Sequence, residues 1–169
     1  GNPVYARKTA ILLDRIADVY PSMDWKAYAD LGWYHSDGSR RKGKIEGSIW
    51  ECNNFRQMAL SCDRIRSGVA ENPELYAFLR KQGERYKLPS AKGTPDDFVM
   101  NIKENLLRCG AQAILDQRIH GNMGMHQLSM AYTAIAFNAN PETETWLDWI
   151  FAPDGGGIPR GLTNQIDRD

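Results

Sequence analysis

The sequence is short of cysteine, of net charge and of long apolar runs, and each shortage removes a class of protein. Cys52, Cys62 and Cys109 are an odd set without CxxC spacing, which excludes a zinc ribbon or a disulfide scaffold. On a shared helix the first two lie about 15 Å apart at 1.5 Å per residue, beyond disulfide reach, so all three read as core thiols. Lysine plus arginine total 21 and aspartate plus glutamate total 21, so no global field gathers nucleic acid or anionic lipid. The longest apolar stretches, such as Met130 to Phe137, fall far short of the roughly 20 residues that span a bilayer. The opening Gly1-Asn2-Pro3-Val4-Tyr5 carries neither the basic nor the apolar segment of a signal peptide, which leaves the compartment open. No segment alternates as a strand does, and no fixed-period repeat is present.

What is there suits a folded helical chain. The 169 residues are 42% apolar and 10% aromatic with a mean hydropathy of −0.53, enough for one core under a wet surface. From Tyr5 to Tyr20, Ala6, Ala10, Leu13, Ile16 and Ala17 recur at helical spacing, interleaved with Arg7, Lys8, Asp14, Arg15 and Asp18, and Pro21 ends the run. Trp33 to Lys44 reads as an exposed loop rich in glycine, serine and cations. Ile49, Cys52, Phe55, Ala59 and Cys62 predict a second helix over Ser48 to Ser67, with Gly68 as its stop. Asn72-Pro73, Thr94-Pro95 and Asn140-Pro141 each offer a capping residue followed by proline at the first helical position. The stripe Phe98, Ile102, Leu106, Cys109 and Ala113 predicts a helix to His120 that Gly121 closes, and Met125 to Asn138 is apolar on nearly every side, as a helix buried all round would be. The fold class is therefore all-α, with antiparallel helical hairpins forming part of an α/α toroid. Asp154 to Gly161 reads as a turn and Leu162 to Asp169 as a further helix beginning, so residues 1–169 are expected to be the N-terminal piece of a longer helical domain.

Chemistry concentrates in Ile119-His120-Gly121-Asn122-Met123-Gly124-Met125-His126-Gln127, where two histidines, the Asn122 amide and two glycines sit between a long helix and the most apolar one. A helix N-terminus offers free N–H groups and positive partial charge to a carboxylate, and glycines let the backbone approach a sugar. The same residue types also serve as caps, with Gly121 closing one helix and Asn122 opening the next. Trp50 and Glu51 are candidates for a stacking ring and a carboxylate at a cleft rim, with Trp33 and Tyr34 as further platforms and Arg40-Arg41-Lys42-Gly43-Lys44 as a cationic arm. Structural packing of the aromatics and a solvated basic loop are the plainer readings. Tyr132 reads as core. His35, His120 and His126 lack metal-ligand spacing, so no metal or other cofactor is expected.

Three groups of residues together resemble the N-terminal helical part of the heparinase II/III-like polysaccharide lyase superfamily. They are Tyr5-Ala6-Arg7-Lys8 with Ile11 to Pro21, Gly43-Lys44-Ile45 before Trp50-Glu51, and Gly121 to Gln127, in that order along the chain. The resemblance implies an α/α toroid followed by a β-sandwich domain and cleavage of uronate-containing polysaccharides by β-elimination. It implies that Asn122 neutralises the substrate carboxylate while His126 shares the cleft, and that Trp50, Glu51, His120 and Gln127 contact the glycan. It implies an acidic polysaccharide or oligosaccharide as partner and a periplasmic or secreted location, with the remaining catalytic Tyr and His expected beyond Asp169. One position departs from the pattern: Met123 stands where related lyases have a His directly after that Asn. The departure keeps a second function open, a noncatalytic helical module that binds glycan or protein.

Overall fold

A computed structural model describes residues 2–33, 42–90, 92–153 and 155, and among them the chain is all-α with no strand. The expected turn and helix after Asp154, and Tyr34, His35, Arg40 and Arg41, lie outside or almost wholly outside the described residues.

Helix α1 (Pro3–Val19) starts where the Asn2 carboxamide accepts the Val4 N–H at 2.9 Å, and it ends in a 3₁₀ turn over Tyr20–Ser22 that contains Pro21. A short α2 (Lys26–Asp30) precedes α3 (Glu51–Val69) and α4 (Pro73–Tyr86), the last capped by Asn72 as its Asn-Pro start predicts. Thr94 and Asp97 close a reciprocal capping box on α5 (Pro95–Asn101). That helix continues through a π-helical stretch, Ile102–Arg108, into α6 (Cys109–Leu115), and α7 (Met125–Phe137) and α8 (Glu142–Phe151) follow.

The packing directions follow from side-chain contacts. Gly68 of α3 lies against Ala6, and Phe55 stacks on Tyr20 at 6.0 Å, so α1 and α3 run antiparallel. Ser129 donates its hydroxyl to the Cys52 carbonyl at 2.7 Å and the Arg66 guanidinium donates to the Ala136 carbonyl, so α7 runs parallel to α3. Helix α8 folds back on α7, with Phe137 and Trp146 edge to face at 4.9 Å. Helices α3 and α7 therefore begin at one end of the bundle, near where α1 and α6 finish. Tyr20, Phe55, Leu106, Met130 and Phe137 fill the interior between them.

Several local expectations change. Gly68 is no stop: α3 runs on to Val69, and the missing side chain lets α1 pass close. The long helix ends at Leu115 rather than at His120, the chain turning at Gln117 with φ +58°. Asn140 does not cap α8; its amide donates to Glu144 instead, at 2.6 Å. Helix α7 is not buried all round, because α3 and α8 cover only part of its circumference and Leu128 and Ile135 stay exposed. Cys52 and Cys62 are core thiols, pushed up to about 12 chiefly by burial, whereas Cys109 is only half-buried.

Candidate functional site

Glu51 opens α3, where a carboxylate suits the positive helix end. It is 1% exposed, and its oxygens accept the backbone N–H groups of Lys44 at 2.7 Å, Ile45 at 2.7 Å and Gly47 at 3.1 Å. The loop over Gly43 to Gly47 is thus wound around one side chain. Gly47 adopts φ +64° and the Trp25 ring occupies the space a Cβ would need, so only glycine fits there. Glu51 is consequently a loop anchor inside the protein, not a carboxylate at a rim. Lys44 also turns inward: its ammonium donates to the Met23 carbonyl at 3.1 Å and the Pro21 carbonyl at 3.4 Å and lies 5.0 Å from the Tyr20 ring centre. Burial lowers its pKa, and it leaves the expected cationic arm, of which Lys42 remains exposed. Trp50, next to Glu51, is 58% exposed.

The stretch from Ile119 to Gln127 forms a turn resting on the start of α3. Ile119 is buried, and Gly121 sits so close to Cys52 and the Ile49 carbonyl that a side chain there would press on both. Neither Gly121 nor Asn122 is a cap. Gly124, at φ +90°, is the N-cap of α7, and Gln127 accepts its N–H at 2.9 Å. Gln127 is therefore buried and engaged, which takes it off the ligand-facing set. Asn122 is exposed; its carbonyl accepts the Met125 N–H at 2.9 Å, while its side-chain amide has no bond to the described residues. His126 is half-buried beside Trp149, ring centres 6.1 Å apart, and its Nδ1 has no partner. Burial, aided by nearby His120, holds its pKa below the usual histidine value against a smaller opposing effect of the Gly121 backbone. The imidazole is thus neutral at pH 7 and able to accept a proton. The fold gathers His120, Asn122 and His126 in one turn, with Trp50 beside Ile49 just ahead of the supporting helix.

A second polar centre gave no signal in the sequence pattern. The Lys92 ammonium, 1% exposed, pairs with Asp14 at 2.7 Å and Asp18 at 2.6 Å. The Asn101 amide donates to the same two carboxylates at 2.8 and 3.2 Å, and Asn105 donates to the Asn101 oxygen at 2.7 Å. An i,i+4 pair of aspartates on a helix predicts a polar face, and nothing in the pattern ties that pair to Lys92 or Asn101. On the surface, Trp25 stacks on Tyr28 at 5.1 Å and Tyr28 meets Trp33 at 6.0 Å, Trp33 being 63% exposed. Among the described residues no group of three or more His, Cys, Asp or Glu is placed to hold a metal ion, and no helix is long and apolar enough to cross a membrane. No protein-family profile, curated protein or solved structure matches this chain.

Proposed function

We propose that the chain is the helical part of a heparinase II/III-like carbohydrate-active protein, and that the turn carrying Asn122 and His126 receives the carboxylate of a uronate sugar. The observation that carries this reading is that turn itself: an amide free of internal bonds and a half-buried imidazole with an unpartnered nitrogen, four residues apart at the start of α7. Cleavage by β-elimination removes a proton from the carbon next to a carboxylate, so negative charge builds on a group that is already anionic. The Asn122 amide donates to that carboxylate, and the N-terminal end of α7 adds positive partial charge on the same side. A neutral His126 takes or relays a proton. Trp50 supplies an exposed ring face for a sugar.

Isothermal titration with oligosaccharides of heparin, chondroitin, alginate and ulvan type checks the binding step, and absorbance of the unsaturated product checks cleavage. Saturable binding that drops about tenfold in Asn122→Ala supports the reading. Wild-type protein that neither binds nor cleaves any of the four removes it. The noncatalytic alternative is favoured by the Trp25, Tyr28 and Trp33 ladder, which suits stacking on sugar rings, and by Met123, which has no proton to exchange. It predicts binding without product and loss of affinity in Trp33→Ala.

A further inference from the structure

At the opposite end of the bundle, about 24 Å along α3 from Trp50 at 1.5 Å per residue, lies a cavity of about 110 Å³. Its walls are apolar: Val69, Tyr76, Phe98, Ile102 and Leu107, with Cys62 contributing a neutral thiol. Its remaining lining includes two cations, Arg66 and Lys103, and no acidic side chain. The exposed Arg66 and the 38% exposed Val99 bring it to the surface.

Among the described residues neither cation is paired with a carboxylate. Arg66 donates to the Ala136 carbonyl and to no carboxylate, and Lys103 rests 4.9 Å from the Phe137 ring centre. Glu104 and Glu142, the carboxylates that act on Lys103, are both engaged by Arg108. Partial burial and the Arg66 charge together disfavour the Lys103 ammonium, a cost that an anion between the two would relieve.

The backbone adds an independent sign. Ile102, Lys103 and Leu107 all belong to the π-helical stretch Ile102–Arg108, a geometry that is rare, poorer in hydrogen bonding and concentrated at functional sites. The stretch lies between two fixed points, Asn101 in the buried ionic cluster and Gly110 packed on Phe55. The widened turns deliver one cation and two apolar walls to the same cavity.

We propose that this cavity binds a small aliphatic carboxylate, its apolar group among Val69, Phe98, Ile102 and Leu107 and its carboxylate between Arg66 and Lys103. The size limits the ligand: an apolar cavity of about 150 Å³ admits benzene, so this one takes a short branched chain. The site is remote from Asn122 and does not depend on the glycan reading.

The test is titration of the chain with isocaproate, followed by amide NMR shifts, beside the isosteric alcohol isohexanol. Saturable shifts centred on α3 and the π-helical stretch are expected for isocaproate, with affinity about tenfold lower for the alcohol and for Lys103→Ala. Val99→Trp, at the half-exposed mouth, abolishes binding, whereas Asn122→Ala leaves it unchanged. Shifts that do not saturate at millimolar ligand overturn the proposal. So does equal affinity for acid and alcohol, or undiminished binding by a folded Lys103→Ala.

Discussion

The buried cluster of Asp14, Asp18, Lys92 and Asn101 and the surface turn from His120 to His126 are both polar, and they differ in how completely their groups are paired. In the cluster the ammonium meets two carboxylates, and the amide of Asn101 donates to both of them. The charges there are matched by one another, and the cluster ties α1 to the segment that opens the long helix. In the turn, the Asn122 amide and His126 Nδ1 have no partner among the described residues; the amide is exposed, whereas that nitrogen is the covered edge of a half-buried ring. Complete pairing marks a structural clasp, and the exposed, unbonded Asn122 amide is the group left for the proposed ligand.

Substitutions at the clasp should therefore act on stability and those at the turn on binding. Lys92→Met strands two carboxylates in the interior and is expected to cost about 3–5 kcal/mol, read from the urea midpoint. A loss below about 1 kcal/mol would mean that water reaches the pair and that the clasp is not one. Glu51→Ala leaves three loop N–H groups without their acceptor and should cost about 3 kcal/mol. Tyr20→Phe goes the other way: the hydroxyl is fully buried without a partner, so its removal should raise stability by about 1 kcal/mol. A destabilised Tyr20→Phe protein would reveal a bridging water at that hydroxyl.

The turn predicts smaller changes. His126 has a folded pKa below its ordinary 6.5, so the unfolded chain binds the proton first. Its contribution to stability is complete above 6.5 and declines as pH falls through that value toward the folded pKa. Unfolding curves of wild type and His126→Gln should diverge in their pH dependence only below about 6.5; parallel curves would show that the imidazole titrates normally. Asn122→Ala should shift the urea midpoint by no more than about 0.5 kcal/mol, since the side chain is exposed and unbonded, while uronate binding falls. A large loss of stability there would erase the contrast between the two regions.

The helices were readable because their signals are local. Asn72 and Thr94 cap through atoms three residues away, and the apolar spacing of Cys52, Phe55, Ala59 and Cys62 returns as the buried face of α3. Where the reading failed, a distant partner decided. Gly68 looks like a helix stop until Ala6 is packed against it, and the apolar α7 looks fully buried until the number of neighbours around it is known. Of the candidate site, the residues of the Asn122 turn could be named from sequence, but Glu51 and Gln127 could not be recognised as internal anchors. Their acceptor oxygens point to backbone groups whose positions the side-chain pattern does not encode.

The sequence by itself determined the all-α class and most helix starts, because capping bonds and helical periodicity span only a few residues. Tertiary structure alone decided that Lys92 crosses to Asp14 and Asp18 and that Lys44 turns inward. It also decided that Arg66 and Lys103 face one cavity without a carboxylate between them. Charges pair through space rather than along the chain. Their roles as clasp, anchor or binding group are set by which distant element the packing brings beside them.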